Sequence, residues 1–457
     1  MCYSYSDKIC PFCGLPQRDI RAAKQGAERF MKVLIVSHNV FSMDSSMGKT
    51  LHAYFKGWAP EDLCQLYFYS EVPTTHLCAN YFQVTDFDLV KAFLLRRPGR
   101  ALTSADAQPD RTTARTDTGA ASLVYQTAQK RAPWMYAARN GLWRLGAWNT
   151  RALDRWVRQQ KPDVIFYASG DYAFSYRVTL HLAKTYHIPV VVSVMDDYYF
   201  YRGEYRTPLA HWNTRVLRRV TDRLMSVAGG AVYIIPSMQK LYDEKFGVPS
   251  RVLYKTAEWA PSTAPANTPV RISYLGGLDL FRHESLMDVG RLLRQLVPDG
   301  SVLLDVYSGE KDPALLQYMT EENGIRFRGA ASPREVRTVL EESDILLMAE
   351  SLRPELHERL RYALSTKTAE CLGSGRCLLA YGPIESGTIS YLAESGDLCV
   401  ATDRQQLEAR LREILFSDTA RQHYAARQLA LAEKNHNEAQ NRAVLKDILE
   451  LAVRKRP

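Results

Sequence analysis

Short apolar runs alternate with amphipathic stretches along most of the chain, and this pattern predicts alternating strands and helices. The run KVLIVS at residues 32–37 is β-branched and almost wholly apolar between its ends, as a parallel strand covered on both faces would be. Similar runs predict strands at 164–169, 190–195, 302–307, 325–328, 345–348 and 377–381, and the helical stretches include 175–186 and 333–341. This alternation predicts an α/β protein with doubly wound parallel sheets.

A change in composition divides the chain. The string EWAPSTAPANT is rich in proline, alanine and serine and predicts a linker at residues 259–268. We therefore expect a first domain at 31–258, a second at 269–435, and helical periodicity at 436–457. Residues 1–30 precede the first strand and are expected to lie outside the fold. The small polar residues of 103–120 predict a flexible surface segment.

The composition is that of a soluble globular protein. Of the 457 residues, 46% are hydrophobic and 24% are charged, which suits two or three domains. No apolar run approaches the ~18 residues of a membrane-spanning helix, and no signal-peptide pattern opens the chain, so a cytoplasmic protein is expected. The eight cysteines fit reduced core thiols. Cys10 and Cys13 form half a zinc knuckle with only Cys2 nearby, so we expect no metal site.

The string LSTKTAECLGSGRCLLA from Leu364 to Ala380 reads as a polar turn, a short helix and a buried strand. Ser365, Thr366 and Lys367 arrive where the helix should begin, and the free N–H groups of a helix N-terminus favour a phosphate or diphosphate. Glu370 lies one turn later on the face of Lys367, where its carboxylate could accept hydrogen bonds from ribose hydroxyls. The alternative is an ordinary capped helix with a surface Lys/Glu pair.

A second stretch, VRISYLGGLDLFRHESL at 270–286, predicts a strand, a glycine turn and a helix. Gly276 and Gly277 would let the backbone approach a ligand closely. Arg282 stands where a permanently charged side chain could neutralise a leaving diphosphate.

Aspartates follow two predicted strands of the first domain. Asp171 comes after the first strand, and Asp196 and Asp197 come after the second. Ligands of open α/β sheets bind at these carboxyl ends, and a carboxylate there could take a proton from an attacking hydroxyl or orient it. The alternative is a helix-capping or loop aspartate.

The order and spacing of seven strings resemble the retaining, nucleotide-sugar-dependent glycosyltransferases of the GT-B fold, of the group 1 or family 4 type that builds bacterial surface polysaccharides. These strings are the MKVLIVS opening, PDVIFYAS, IPVVVSVMDD, ISYLGGL, IRFRGAASPREV, SDILLMAES and STKTAECLGSG. The resemblance implies two Rossmann-like domains facing across a cleft, with the terminal helix packing back on the first. It also implies a nucleotide-sugar donor, a saccharide or lipid-linked saccharide acceptor, and no cofactor or metal.

The resemblance assigns roles to residues around the cleft. It places the leaving diphosphate against Arg282 and Lys367, and an acceptor-facing polar residue at Asp196. Glu370 matches the second member of the family's Glu-x7-Glu pair, whereas the first member falls on Tyr362.

Two further donor-side assignments come from the same resemblance. The backbone at Arg328 and Gly329 would meet the base. Gly48, in a loop whose Gly48-Lys49-Thr50 imitates a P-loop, would permit close approach of the donor phosphates or of the acceptor. A true P-loop is rejected because Met43 occupies the position of its first glycine.

The basic region at residues 91–161 holds fourteen Lys/Arg and four Asp/Glu, a local charge of +10 against +9 for the whole chain. Aromatic residues lie between the arginines, namely Trp134, Tyr136, Trp143, Trp148 and Trp156. Peripheral contact with an anionic membrane is our interpretation, which would put the protein at the inner face of the plasma membrane. The alternatives are tryptophans that fill the core and, least favoured in the absence of a reader module, nucleic-acid binding.

Two other functions stay open at this point. A sugar-nucleotide epimerase has the same two-domain layout but converts its donor without an acceptor. A non-catalytic peripheral membrane scaffold or partner subunit is suggested by Tyr362 and by the basic region.

Overall fold

Two parallel sheets form the molecule, and the first is built from eight strands. The computed structural model describes residues 31–43, 45–92, 98–108, 132–203, 207–256 and 267–455. The first sheet has the order β4-β3-β2-β1-β5-β6-β7-β8, and every neighbouring pair is parallel except β3 with β4. Its strands are β1 (Val33–Ser37), β2 (Leu63–Tyr67), β3 (Asn80–Gln83), β4 (Arg100–Thr103), β5 (Val164–Ala168), β6 (Val190–Val194), β7 (Gly230–Tyr233) and β8 (Ser250–Val252).

The second sheet has six strands in the order β11-β10-β9-β12-β13-β14, all parallel. This is the strand order of a dinucleotide-binding doubly wound sheet. Its strands are β9 (Ile272–Leu275), β10 (Leu304–Tyr307), β11 (Ile325–Gly329), β12 (Ile345–Ala349), β13 (Cys377–Tyr381) and β14 (Val400–Ala401). The predicted α/β class with two doubly wound sheets is confirmed.

Helices connect the strands and cover the sheets. In the first half of the chain they are α1 (Ser46–Phe55), α2 (Asp86–Ala92), α3 (Pro133–Arg144), α4 (Arg151–Gln160), α5 (Ala173–Tyr186), α6 (Pro208–Met225) and α7 (Pro236–Phe246). In the second half they are α8 (Arg282–Leu296), α9 (Pro313–Leu316), α10 (Pro333–Glu342), α11 (His357–Leu360), α12 (Thr368–Gly373), α13 (Gly387–Glu394), α14 (Arg404–Phe416), α15 (Asp418–Asn435) and α16 (Glu438–Arg454).

The apolar pattern located strands more accurately than it located their ends. Strand β13 has the predicted bounds, whereas β10 begins at Leu304, two residues after the predicted start. Val302 and Leu303 are buried but lie before the first ladder pair, Leu304 with Ile272. Burial without ladder hydrogen bonds gives a residue the same apolar signature as a strand.

The last helix returns to the first sheet. Leu445, Ile448, Leu449 and Ala452 of α16 are fully buried in the core of the first domain. A Cβ on Gly229 would lie 2.9 Å from Cβ of Ala452, so the absence of a side chain allows helix and sheet to pack closely. The two domains are therefore joined by two crossings of the chain, one after β8 and one between α15 and α16.

The tryptophans of the basic region mostly belong to the core. Trp143, Trp148 and Trp156 are at most 8% exposed, and Trp143 Nε1 donates to Asp86 Oδ1 at 2.6 Å. The core-filling alternative therefore holds for these three side chains, while Trp134 is 60% exposed. No helix in the described part of the chain is long and apolar enough to cross a membrane.

Several predictions fall on residues outside the described ranges. These are the cysteines of residues 1–30, most of the predicted linker, and positions 109–120 of the predicted flexible segment. Within the described ranges the cysteines are buried free thiols, and no group of three or more His, Cys, Asp or Glu is placed to hold a metal.

Candidate active site

A cavity of about 110 Å³ lies at the carboxyl ends of β9 and β12. These neighbouring strands continue to opposite sides of the sheet, because β9 leads to β10 and β12 leads to β13. Such a switch point leaves a crevice in which α/β proteins bind ligands. Among the predicted site residues, the cavity brings together Gly276, Gly277, Arg282, Ser365 and Lys367.

The glycine turn after β9 owes its sequence to close packing on Tyr274. A Cβ on Gly276 would lie only 2.2 Å from Tyr274 Oη, so a larger residue cannot occupy this position without a shift. Tyr274 Oη donates to Gly277 O at 2.7 Å, and Gly276 N donates to Tyr307 O at 3.0 Å. These two hydrogen bonds and the packing on Tyr274 fix the conformation of the turn, so its backbone lines the cavity.

Arg282 begins α8 and is held by two carboxylates. Its Nε and Nη2 lie 3.0 and 2.9 Å from Glu350 Oε2, and its Nη1 lies 3.0 Å from Asp279 Oδ1. Burial lowers the pKa of Arg282, but Glu350, Tyr274 and Asp279 outweigh burial and raise it overall. The guanidinium therefore stays charged at the cavity wall.

Glu350 is a site residue that the sequence prediction missed. It follows β12 directly, is 4% exposed and lines the cavity. Burial raises its pKa, although Arg282 acts in the opposite direction. A carboxylate directly after an apolar strand was the signal used for Asp196, and the same signal in ILLMAE would have found Glu350.

Ser365, Thr366 and Lys367 form a turn before α12 rather than its first helical turn. Helix α12 begins at Thr368 and has six residues. Ser365 N donates to Oγ1 of the buried Thr388 at 3.0 Å, and Thr388 Oγ1 in turn donates to Ala363 O at 3.2 Å. Thr388 on α13, which the sequence prediction did not find, therefore fixes the shape of the donor loop, our name for residues 361–367.

Lys367 has an altered acidity. Loss of solvent around the ammonium is the main cause that lowers the pKa of Lys367. Cys371 and Glu370 act to raise this pKa, whereas the positive charges of Arg282 and Lys255 lower it further. The side chain nevertheless remains accessible in the cavity. Two cations from separate segments, Arg282 and Lys367, thus lie close together at the switch point.

Thr366 and Glu370 meet a cation that the sequence prediction missed. Lys255 Nζ lies 2.7 Å from Thr366 O and 2.7 Å from Glu370 Oε1. No local pattern marks Lys255, because the partners lie more than a hundred positions away along the chain.

Arg328 and Gly329 lie two strands from the switch point, on the edge strand β11. Arg328 Nε donates to Asp305 Oδ1 at 2.8 Å, and Gly329 O accepts from Ser308 N at 2.9 Å. Gly329 has φ of +76°, which explains a glycine at this strand end. Neither residue lines the cavity.

Gly48 lies inside helix α1, so its predicted position in a loop is wrong. Ser45 caps the helix, and its Oγ accepts from Gly48 N at 3.1 Å. A Cβ on Gly48 would lie 2.8 Å from Val40 O, so the glycine is required by packing against the preceding loop. Ser45 is a typical N-cap residue, and its position three residues before Gly48 would have predicted that the glycine lies in the first turn of a helix.

Asp197 has the hydrogen bonds of a loop aspartate. Its Oδ1 accepts from Tyr199 N at 3.2 Å, Phe200 N at 2.9 Å and Tyr242 Oη at 2.8 Å. Asp196 is exposed, and its Oδ2 accepts from Tyr198 Oη at 3.3 Å.

Tyr362 brings the second domain close to these aspartates. It packs against the core of the first domain. Burial raises the pKa of Tyr362, and Asp197 contributes in the same direction, opposed by Arg361. Tyr362, a residue of the second domain, therefore lies near enough to Asp197 for that carboxylate to affect its ionisation.

The switch point of the first sheet, between β1 and β5, carries an aromatic platform formed by His38, Tyr69, Tyr136 and Tyr172. The His38 ring lies 5.2 Å from that of Tyr69 and 4.7 Å from that of Tyr172. Tyr136 stacks on Tyr172 at 5.7 Å, and its Oη donates to Asp171 Oδ2 at 2.7 Å. Burial, and then the charge of Arg139, lower the pKa of His38, so its ring is neutral at pH 7.

Two family models match separate parts of the chain. One, described as Glycosyltransferase Family 4, matches residues 100–254, and the other, described as Glycosyl transferase-like, matches residues 292–448. A search of curated proteins gave no match.

Solved structures similar to the chain span nearly all of it. Anabaena HepE in complex with UDP is 14% identical with a TM-score of 0.56, and the match covers 92% of this chain and 100% of that one. The E. coli trehalose-6-phosphate protein bound with UDP-2-fluoro glucose is 11% identical with a TM-score of 0.55, covering 92% and 99%. Trehalose 6-phosphate synthase from Burkholderia multivorans is 12% identical with a TM-score of 0.53, covering 93% and 98%. These likenesses show the GT-B fold.

Proposed function

We propose that this chain transfers a sugar from a nucleoside-diphosphate sugar to a hydroxyl of a saccharide or lipid-linked saccharide, with retention at the anomeric carbon, in the synthesis of surface polysaccharide. The observation that carries the proposal is the convergence of Arg282 and Lys367 on the cavity between β9 and β12. The glycosyltransferase family models support it, as do the UDP and UDP-sugar ligands of the similar structures.

The chemistry requires a stabilised leaving group. The acceptor oxygen forms a bond to the anomeric carbon as the bond from that carbon to the diphosphate oxygen breaks, and the acceptor proton passes to the departing phosphate on the same face. Arg282 and Lys367 supply positive potential where this negative charge develops, and such groups lower a barrier to the extent that they interact more strongly with the transition state than with the bound donor. No metal or cofactor is part of the proposal.

The nucleoside would extend from the cavity along the donor loop. Glu370 would accept hydrogen bonds from the ribose hydroxyls, and the backbone near Gly329 would contact the base. Gly276 and Gly277 would admit the phosphates.

The acceptor side belongs to the first domain. Asp196 is exposed after β6, where it could orient the attacking hydroxyl, whose proton passes to the departing phosphate. The aromatic platform at the β1/β5 switch point places half-buried aromatic rings, a residue type that suits the C–H faces of sugars, beside the carboxylate of Asp171. This pairing suits a saccharide acceptor.

Contact with an anionic membrane belongs to the same proposal. Trp134 and Trp212 are 60% and 49% exposed, and their helices are joined by Asn213 Nδ2, which donates to Pro133 O at 2.7 Å. Exposed tryptophans beside arginines suit a headgroup layer. The double variant Trp134→Ser with Trp212→Ser should sediment less with vesicles containing phosphatidylserine, and unchanged sedimentation would contradict this contact.

The test of the proposed function is a screen of purified protein against UDP-, ADP- and GDP-sugars. Thermal stabilisation by one donor and slow release of its nucleoside diphosphate are expected. Lys367→Ala should reduce transfer by roughly two orders of magnitude, as expected for loss of a charge stabiliser. Lys446→Ala, on an exposed lysine of α16, is the matched control.

Three results would contradict the proposal. Turnover of Lys367→Ala close to that of wild type would remove the assigned site. Conversion of the donor sugar without an acceptor would indicate an epimerase. Vesicle binding without binding of any donor would indicate a scaffold.

A further inference from the structure

Lys255 connects the first crossing between the domains to the proposed donor site. It follows β8, where the chain leaves the first sheet. Its Nζ donates to Thr366 O and to Glu370 Oε1, both at 2.7 Å, and its side chain is 14% exposed. The Glu370 side chain is 37% exposed, but a pair with one shielded member that also donates to a carbonyl holds its partners more firmly than a fully solvated pair does.

The main chain of Lys255 is fixed by the second crossing. Its carbonyl accepts from Nδ1 of His436 at 2.8 Å, and His436 is 1% exposed between α15 and α16. The preceding residue, Tyr254, donates its N–H to Asn441 Oδ1 of α16 at 2.9 Å. Both crossings therefore determine where the ammonium of Lys255 lies.

Resting on the proposed function, we propose that Lys255 is a positioning residue for the nucleoside end of the donor. By holding Oε1 of Glu370, it fixes the carboxylate rotamer and leaves Oε2 to accept from the ribose hydroxyls. By holding Thr366 O, it also fixes the donor loop beside Lys367. Its charge offsets that of Glu370, which would otherwise repel the diphosphate.

The geometry places the main effect of Lys255 on donor binding rather than on the chemical step. Lys255 contacts Thr366 and Glu370 and does not line the cavity that holds Arg282 and Lys367. Loss of its ammonium should therefore raise the donor KM by a larger factor than it lowers kcat, and leave the acceptor KM nearly unchanged.

Calorimetric titration with UDP, ADP and GDP tests the inference, using the nucleotide that wild type binds most tightly. Lys255→Met should weaken this binding by about tenfold, the effect of one charge-assisted hydrogen bond, and Lys255→Arg should restore most of it. Adding Lys255→Met to Glu370→Gln should cause little further loss, because both act on one contact. Lys56→Met, which breaks the 3.1 Å pair with Glu438, is the matched control and should bind as wild type does.

Contrary results are distinct for the two proposals. Wild-type affinity in a folded Lys255→Met protein, or additive losses in the double variant, would overturn the role of Lys255 while the proposed function stands. Wild-type protein that binds none of the three nucleotides would overturn the proposed function and this inference together. If Lys255→Met does not fold, Lys255→Gln replaces it, and wild-type affinity there overturns the inference.

Discussion

Protonation of His436 should destabilise the fold in mildly acidic solution. The ring is buried, its Nδ1 lies 2.8 Å from Lys255 O, and its Nε2 lies 2.9 Å from Tyr391 Oη. Tyr391 Oη already accepts from Asn435 Nδ2 at 3.0 Å, so its own hydrogen is directed to Nε2 of a neutral imidazole. A proton on Nε2 would oppose that hydrogen and place a charge beside Lys255.

The magnitude follows from the pKa. Burial lowers the pKa of His436 from 6.5 to about 4, although the hydrogen bond to Lys255 O acts in the opposite direction. Because the folded-state pKa is the lower one, the unfolded chain binds the proton more readily, and stability present above pH 6.5 is lost as the pH falls toward about 4. At about 1.4 kcal/mol per pKa unit, the loss is roughly 3 kcal/mol.

Urea unfolding at a series of pH values between about 7 and about 4 measures this loss in wild type and in His436→Gln. Other groups titrate in both proteins, so their contributions cancel in the difference between the two free energies of unfolding. That difference should change by roughly 3 kcal/mol across the series. His423→Gln, on an exposed histidine of α15, is the control. Parallel curves for wild type and His436→Gln would refute the reasoning.

Three further predictions concern the second domain. The affinity of wild type for a nucleoside diphosphate should fall as the pH is raised through the lowered pKa of Lys367, because the ammonium loses its charge. The affinity of Lys367→Arg should not change over the same range, and parallel calorimetric pH profiles for the two proteins would contradict this. In Gly387→Ala the new Cβ would lie 2.7 Å from Ala363 O in the donor loop, so stability should fall by roughly 1–3 kcal/mol and nucleotide affinity should drop; wild-type affinity would count against it. Gln428→Leu removes the hydrogen bonds of the Gln428 amide to N and O of Leu378, so the free energy of unfolding in urea should fall by roughly 2 kcal/mol or more. An unchanged free energy of unfolding would contradict this.

Much of the candidate site was predicted from two local patterns and the resemblance that joined them. Arg282 was predicted from the glycine turn after a predicted strand, and Lys367 from the polar turn at the start of a predicted helix. The structure brings both to the carboxyl ends of neighbouring parallel strands, which share one edge of the sheet. Glu350 directly follows an apolar strand, so the same strand-end pattern that marked Asp196 also marks this carboxylate.

Residues fixed by distant partners could not be found in this way. Lys255 meets Glu370, and Thr388 meets Ser365, through packing that no local string encodes. Gly48 was misplaced because a glycine needed for close helix packing and a glycine of a ligand loop look alike in a sequence. In the basic region, Trp143 is buried because it lies on the side of α3 that faces α5. Charge and composition do not reveal which side of a helix faces the core.

The most direct test compares a nucleoside diphosphate with its parent nucleoside, using the base chosen by the donor screen. The account predicts that wild type binds the diphosphate more tightly. The double variant Arg282→Ala with Lys367→Ala should lose that preference and keep its affinity for the nucleoside. The reason is that, of the parts of the ligand, the account places only the phosphates against these two cations. A variant that retains the wild-type preference for the diphosphate would contradict a donor site between β9 and β12.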